Sequence, residues 1–209
     1  MTGFLNHGSI TGVARPKTIT DDRLLAAAAV VTGRIGPAFT LAQVAGEAGV
    51  SVGTVAGRFG SKLGLLAALT RYTTANAVAA MRAARVAEPD PVAALRAAAV
   101  STHGGLGDAE SAANHLRLLG VDLGDARLTA LLGEHFAALE VELRAAVEAA
   151  DLPAAPPPPV AARVLLSLVN GASIDWSIRP SGPLADRLTE DTDAVLDAWR
   201  RTTEPTRGN

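Results

Sequence analysis

The sequence predicts an all-α protein of about nine helices, in which a small amino-terminal group of helices precedes a larger helical bundle. Apolar residues make up 48% of the 209 residues and aromatic residues only 3%. Alanine and leucine are abundant, and both favour helices, whereas the residues that favour strands are sparse. Apolar positions also recur at helical spacing between capping residues and Gly or Pro stops. Together these patterns leave no segment that is typical of a sheet.

Charge, cysteine content and hydropathy limit the partners and the cellular location that we expect for this chain. Residues 1–72 carry a net charge of +4 and the remainder −6, which indicates a basic head that meets a polyanion. The absence of cysteine excludes disulfides and thiolate metal sites and fits a reducing cytoplasm. No apolar run approaches the roughly 20 residues of a membrane span, and the first twenty residues lack the pattern of a secretory signal. We expect a cytoplasmic protein with no membrane partner.

The first 72 residues start with an arm and a helix. Residues 1–19 have no apolar period and end in a basic stretch with Arg15 and Lys17, so they are predicted to be a flexible basic arm. Thr20 is predicted to cap the first helix, because its side chain can accept backbone N–H groups. The segment Gly33–Pro37 is predicted to end that helix.

Two short helices follow and form a helix-turn-helix pattern. Thr40 is predicted to cap the second helix, which ends at Gly49, and Ser51 to cap a third over Val52–Phe59. The glycines of this stretch match no nucleotide-binding loop, because no strand precedes them. A helix enters the major groove of DNA only when its leading side chains are short. The outward positions of the third helix are small or cationic: Val52, Gly53, Thr54, Gly57 and Arg58.

The rest of the chain is predicted to be helical throughout. A proline run over residues 153–159 interrupts it, and a connector between helices explains this run better than a docking motif. The predicted helices run from Lys62 (capped by Ser61) to about Arg85, from Asp90-Pro91 to Gly104-Gly105, from Asp108 to about Leu119, from near Asp125 to Ala150, from Val160 to Ile178, and from Pro183 to about Arg201.

The amino-terminal residues resemble the DNA-binding domain of the tetracycline-repressor (TetR) family over about fifty positions. The matching residues are Arg23-Leu24-Leu25-Ala26-Ala27-Ala28, Gly36, Thr40-Leu41-Ala42-Gln43-Val44-Ala45, Ala48-Gly49-Val50-Ser51-Val52-Gly53-Thr54-Val55, Phe59, Ser61-Lys62 and Leu65-Leu66. The resemblance implies a homodimeric repressor whose carboxy-terminal domain binds a small effector that releases palindromic double-stranded DNA. We therefore divide the chain into an arm (1–19), a helix-turn-helix domain (20–66), an effector-binding and dimerisation domain (67–203) and a flexible tail (204–209).

The resemblance also implies roles for individual residues in DNA binding. Thr40 and Ser51 would contact phosphates, as would Lys62 at the start of the fourth helix. Val52, Gly53 and Thr54 would face bases, while Arg15, Lys17 and Arg58 add positive charge. A purely structural interpretation stays open, because the hydroxyl residues also serve as N-caps and Lys62 as a solvated charge.

One departure from the family pattern weakens the predicted contact with DNA. The family usually has tyrosine and histidine where this chain has Ala56 and Arg58. Loss of a phenolic hydrogen bond to phosphate costs about 1 to 1.5 kcal/mol per subunit. A specific complex has a binding free energy of roughly 11 to 15 kcal/mol, so the loss weakens binding without abolishing it.

Effector and dimer residues are predicted in the larger domain. Polar groups that could orient a largely apolar effector are His103, Asn114, His115, His135 and Asn170, although a lone histidine is more often an ordinary surface or core residue than a ligand contact. In the family the last two helices pair across a twofold axis. Candidate interface residues are Leu168, Ala172, Trp176, Leu196 and Trp199, with ordinary core packing as the alternative for the tryptophans.

The leading hypothesis is therefore a ligand-responsive transcriptional repressor without a cofactor. A second hypothesis is a small-molecule binding or interaction protein of the same fold with weakened or lost DNA binding, which Ala56 and Gly57 suggest. An enzyme is disfavoured because no nucleophile lies beside a plausible base. No cluster of histidines and carboxylates at helical spacing predicts a metal site.

Overall fold

The structure is a computed structural model that describes residues 19–103 and 106–201, and within these ranges it contains nine α-helices and no strand. The helices are α1 (Asp21–Ile35), α2 (Leu41–Ala48), α3 (Val52–Phe59), α4 (Lys62–Ala87), α5 (Pro91–Ser101), α6 (Ala109–Leu123), α7 (Ala126–Ala149), α8 (Pro158–Ile178) and α9 (Leu184–Arg200). A 3₁₀ turn over Gly36–Ala38 follows α1. The all-α prediction is confirmed. The predicted tail and the predicted arm with Arg15 and Lys17, except for Ile19, lie outside the described residues.

Local sequence determines where most helices begin. Seven helices start at a side chain that accepts a backbone N–H in the first turn, which satisfies a donor that has no partner within the helix. The helices α8 and α9 instead begin after prolines, without a capping side chain. The capping residues are Thr20, Thr40, Ser51, Ser61, Asp90, Asp108 and Asp125.

Two helix ends differ from the prediction. Helix α5 ends at Ser101 and not at the glycines, and Thr102 follows it as the C-cap, with its hydroxyl donating to Ala99 O at 2.8 Å. Helix α6 continues one turn further than predicted, to Leu123, because Gly120 keeps a helical backbone. Glycine therefore does not end a helix by itself, since its backbone also adopts the helical conformation.

The amino-terminal helices share one apolar core with the start of α7. Val31, Val55 and Leu65 are fully buried between α1, α3 and α4. Leu128 and Leu131 of α7 belong to the same cluster. Helix α1 also packs against α6. The unit of α1, α2 and α3 is therefore packed directly against α6 and α7. A movement of α6 or α7 would change the contacts of this three-helix unit.

The body is a bundle in which α4, α5, α7, α8 and α9 enclose a second core. Ion pairs fasten the helices at its edge. The Glu142 carboxylate is only 8% exposed and accepts hydrogen bonds from Arg82 at 2.6 and 2.9 Å, with Arg85 at 3.6 Å. Arg96 of α5 contacts both oxygens of Asp193 of α9 at 3.0 Å. In the described residues no helix is both long and apolar enough to span a bilayer.

Candidate nucleic-acid interface and ligand site

Helix α3 presents its outer face to solvent. Val55 is fully buried and anchors the helix, whereas Val52 is 46% exposed and Gly53 and Gly57 are also exposed. Thr54 is half-buried beside them. The α2–α3 turn is closed by Gly49 in the left-handed conformation, with φ 69° and ψ 36°. The predicted face of small residues therefore lies on the surface, with the longer Arg58 side chain at its carboxy-terminal end.

The hydroxyl groups at the helix starts are engaged as caps. Thr40 forms a capping box with Gln43, in which the side chain of each residue accepts the backbone N–H of the other. Ser51 Oγ accepts from Thr54 N at 3.1 Å and lies 2.9 Å from Thr54 Oγ1. Thr40 and Ser51 nevertheless remain exposed. Each hydroxyl oxygen has two lone pairs and one hydrogen, so a cap does not prevent a contact with phosphate.

Lys62 is held in place by residues that precede α2. Its ammonium group donates to Pro37 O at 2.6 Å and lies 4.5 Å from the centroid of the Phe39 ring. Phe39 is itself buried, with 1% exposure. An ammonium group has three N–H donors, so two remain for another partner. The cation is oriented before any ligand arrives, which lowers the entropy lost on binding.

Arg58 of α3 forms an ion pair with Asp21 at the start of α1. Both side chains are substantially exposed, at 38% and 52%. The pair offsets part of the positive charge that Arg58 brings to this surface. This contact could not be predicted from the sequence, because the two residues are 37 positions apart.

Four of the five predicted effector residues lie in one region of the body. Burial, and then the nearby His115, lowers the pKa of His103 to about 4. Burial and His115 also lower the pKa of His135. Asn170 faces His103 and partly offsets the fall in its pKa through a hydrogen bond. His115 reaches solvent but is enclosed by neighbouring groups, and this enclosure lowers its pKa.

Asn114 points elsewhere. It is 3% exposed, and its Nδ2 donates to Gly33 O of α1 at 2.9 Å, while its Oδ1 accepts from Arg117 at 2.7 Å. The same side chain packs against Gly36, where an added Cβ would lie 2.7 Å from Asn114 Oδ1. Asn114 therefore joins α6 to the end of α1 and is separate from the histidine group.

A groove of about 200 Å³ opens beside the histidine group, between α4 and α7. Its lining includes Ala75, Leu131 and Thr74, with the charged Arg71 and Glu134 exposed. Thr74 Oγ1 lies 2.9 Å from Nδ1 of His135. The position of Thr74 beside His135 could not be predicted from the sequence, since the contact spans 61 positions. Among the described residues no group of three His, Cys, Asp or Glu could hold a metal ion.

The predicted dimer residues are mostly interior to one chain. Ala172, Trp176 and Leu196 are 8%, 4% and 1% exposed, and Trp176 Nε1 donates to Gly182 O at 3.1 Å. Leu168 and Trp199 are half-buried. The core packing that the sequence left open for Trp176 is therefore its observed environment. The exposed apolar side chains of α8 are Val164, Ile174 and Ile178, at 40%, 39% and 70%.

Comparisons with known proteins agree with this geometry. Residues 24–69 match the family model of bacterial regulatory proteins, tetR family. No curated protein matches the chain. One similar solved structure is a transcriptional regulator from Rhodococcus sp. Rha1, with 22% identity, 88% of this chain and 100% of that chain covered, and a TM-score of 0.66. A second is SmeT, the repressor of the Stenotrophomonas maltophilia multidrug efflux pump SmeDEF, with 21% identity, coverages of 89% and 93%, and a TM-score of 0.65. A third is a TetR transcriptional regulator from Streptomyces coelicolor, with 23% identity, coverages of 87% and 99%, and a TM-score of 0.56.

The two kinds of likeness carry different weight. The family model matches the segment that contains α2, α3 and the start of α4, and it was the residues of this segment that suggested the family. The solved structures are too distant in sequence to show more than a shared fold. Residues 24–69 therefore match the bacterial regulatory proteins of the tetR family, and the chain shares the all-helical fold of solved transcriptional regulators.

Proposed function

We propose that this protein is a homodimeric, ligand-responsive repressor that leaves a palindromic operator when a small, largely apolar effector binds in its body. The observation that carries the proposal is the exposed α3 face, on which Val52, Gly53 and Thr54 surround no bulky side chain. A face of this kind lets a helix backbone approach base edges closely in the major groove. Thr54 then offers a hydroxyl and a methyl group for base contacts.

Charges around this face support a DNA partner. Lys62 is fixed by Pro37 and Phe39 with two donors free, which suits a phosphate contact. The positive ends of the α2 and α3 dipoles lie at the exposed residues Thr40 and Ser51. These groups place the protein on the duplex, whereas the face of α3 supplies sequence preference.

The exposed apolar face of α8 supports a homodimer. Val164, Gly171 and Ile178 follow one another at seven-residue spacing, and Ile174 lies beside them. A monomer gains nothing by exposing such a stripe, whereas a second copy would cover it. We expect Ile174→Glu to yield monomers in light scattering and to weaken DNA binding. Val86→Glu is the matched control, since Val86 is 88% exposed at the end of α4.

The connections between the two cores support a response to ligand. Asn114 ties α6 to α1, and Leu128 and Leu131 of α7 enter the amino-terminal core. A ligand that favours one arrangement of α6 and α7 would therefore change the placement of α3 in each subunit. Couplings of this kind amount to about 1 to 3 kcal/mol, or roughly 5- to 150-fold in affinity.

The test begins with selection of bound genomic fragments by the purified full-length protein, followed by a salt titration on the selected fragment. Thr54→Ala should change sequence preference. Lys62→Ala should weaken all fragments alike and reduce the salt dependence by about one phosphate contact per subunit. Arg144→Ala, which removes an equal charge from the body, should change neither. Failure to retain any fragment at low salt would overturn the DNA-binding proposal.

The second candidate function is a binding protein of this fold with weakened DNA affinity. Ala56 removes a phenol that the resembled family uses, and Asp21 neutralises part of the Arg58 charge. A protein that binds small molecules but shows no salt-dependent retention of DNA would favour this candidate.

A further inference from the structure

The solvent-facing part of α3 carries methyl groups and almost no hydrogen-bonding group. Between Val52 and Gly57 the helix has a single polar side chain, that of Thr54. Val52 is 46% exposed and Thr54 is half-buried. Arginine, lysine, asparagine and glutamine read guanine and adenine through paired hydrogen bonds in the major groove. These six residues of α3 include none of them, so they have no side chain that could read a purine in this way.

The neighbouring side chains that could read a purine already have partners within the protein. The side-chain oxygen of Gln43 in α2 accepts from the backbone N–H of Thr40 at 2.8 Å and lies 3.2 Å from its hydroxyl. A paired contact with adenine needs both that oxygen and the amide nitrogen. Arg58, in the last turn of α3, is paired with Asp21. A base contact by Gln43 or Arg58 would therefore have to replace a contact that already exists.

The hydroxyl of Thr54 cannot distinguish the bases by itself. It lies 2.9 Å from Ser51 Oγ, which also accepts the backbone N–H of Thr54 at 3.1 Å. A hydroxyl group, moreover, pairs equally well with donors and acceptors on base edges. The methyl groups of Val52 and Thr54 can distinguish the bases, because thymine alone presents a methyl group in the major groove.

Two exposed glycines lie between these methyl-bearing residues and the end of the helix. Gly53 and Gly57 are one turn apart, on the side of α3 away from the buried Val55. Neither has a positive φ. An added Cβ would meet nothing within 4 Å at Gly57, and only Ser51 Oγ, at 3.7 Å, at Gly53. Alanine would therefore fit both positions and stabilise the helix, so the fold itself does not explain the glycines. Their missing side chains leave room for a partner that comes close to the backbone.

We propose that α3 reads thymine, and that the methyl groups of Val52 and Thr54 pack against thymine C5-methyl groups in the major groove of each half-site. Gly53 and Gly57 let the helix backbone come close enough for this contact. Arg58 and Lys62 then serve the phosphates, which carry no sequence information. The inference rests on the proposed function, since it names the bases that the proposed DNA interface reads.

The first experiment replaces thymine by deoxyuridine, which lacks only the C5-methyl group, in the fragment selected by the full-length protein. Each thymine is replaced in turn, in both half-sites together. Burial of one methyl-sized group is worth about fourfold in affinity, so filter binding should show a loss of about fourfold per half-site, or about 15-fold for both, at the contacted positions. The pair of adenine with uracil keeps every hydrogen-bonding group of the original pair. Equal affinity at every position would overturn the proposal.

A second set of fragments separates the methyl group from the shape of the duplex. Cytosine or 5-methylcytosine, each paired with guanine, takes the place of a contacted thymine. The methylated fragment should bind about fourfold more tightly per half-site, because the methyl group is restored while the base pair stays that of cytosine. If the protein instead reads a sequence-dependent duplex shape, the two cytosine fragments bind alike, and the proposal is wrong.

Variants assign the contact to side chains. Thr54→Ser removes one methyl group and keeps the hydroxyl, and Val52→Ala removes two methyl groups at an exposed position. Each should reduce the thymine-to-uracil affinity ratio at one position to below about twofold, with little effect on the uracil fragment. The matched control is Val141→Ala, since Val141 is 65% exposed on α7. Unchanged ratios in both α3 variants would contradict the assignment.

Gly57→Ala distinguishes a role in DNA binding from a role in the fold. The added methyl group should raise Tm, because alanine favours the helix, and should lower DNA affinity, because it lies between the backbone and the base pair. Thermal unfolding and filter binding of the same sample measure the two effects. A rise in Tm with unchanged DNA affinity would show that no base comes close to this part of α3 and would refute the close approach.

The outcomes separate this inference from the proposed function. If no fragment is retained at low salt, the DNA-binding function fails, and thymine reading fails with it. If a fragment is retained with the expected salt dependence while its thymine and uracil forms bind alike, only thymine reading fails and the regulator function stands.

Discussion

Acidification should destabilise this fold through His103. Burial and the neighbouring His115 lower its pKa to about 4, against about 6.5 in an unfolded chain. As the pH falls, the unfolded chain therefore takes up a proton first, so stability is complete above about pH 6.5 and is lost down to about pH 4. Each pKa unit corresponds to about 1.4 kcal/mol, which makes the total loss roughly 3 kcal/mol.

The measurement is urea unfolding of wild type and His103→Gln at pH 7.5 and pH 4.5. Wild type should lose about 2.5 kcal/mol more than the variant between these values, as the two pKa values require. The comparison with the variant cancels the protonation of carboxylates elsewhere. His115→Gln should show a smaller difference, in the same direction. If wild type and His103→Gln lose stability in parallel, His103 is not a buried neutral group and the reasoning fails.

Three further outcomes are expected. Asp21→Asn removes the ion pair with Arg58 of α3. DNA affinity measured by filter binding should rise about two- to fivefold, with a steeper salt dependence. An unchanged affinity would show that Arg58 reaches no phosphate. Glu142→Gln removes a buried charge that Arg82 and Arg85 contact, and should lower the free energy of unfolding in urea by roughly 1 to 3 kcal/mol. The control Glu148→Gln, at an exposed position, should lower it by under about 0.5 kcal/mol. Equal losses would show that the Glu142 carboxylate is not buried against the two arginines. Gly36 has φ 70° and ψ −154° and lies against the buried amide of Asn114 in α6, whereas Gly49 has φ 69° and no neighbour where a Cβ would lie. Gly36→Ala should therefore lower Tm more than Gly49→Ala. Similar losses would show that Asn114 moves aside at little cost.

The starts of the helices could be predicted because their causes are local. Thr40, Ser51 and Asp90 cap backbone groups only a few positions ahead, and such contacts depend on residues that lie together in the sequence. The length of α6 could not be predicted in this way. Its last turn passes through the exposed Gly120, and because glycine adopts helical and non-helical backbone alike, the residue type does not show where the helix ends.

The candidate site, too, could be predicted from the sequence only in part. The small face of α3 could be predicted from the sequence, since Val55 and Phe59 lie one helical turn apart and face inward, which leaves short residues on the outside. The ion pair of Arg58 with Asp21 and the contact of Lys62 with the Phe39 ring could not be predicted, because each contact joins residues that are distant in the sequence. The five polar residues proposed for the effector were equivalent in sequence, yet four share a region while Asn114 joins α6 to α1.

The amino-acid sequence by itself determined the helical class, the capped starts of the helices and the short-side-chain face of α3, since each depends on residues within a turn or two of one another. Only the tertiary structure decided that Arg58 pairs with Asp21, that Lys62 contacts Pro37 and which apolar side chains of α8 are exposed. Those properties depend on the contacts that each side chain makes with other helices, and the packing of the whole bundle determines these contacts.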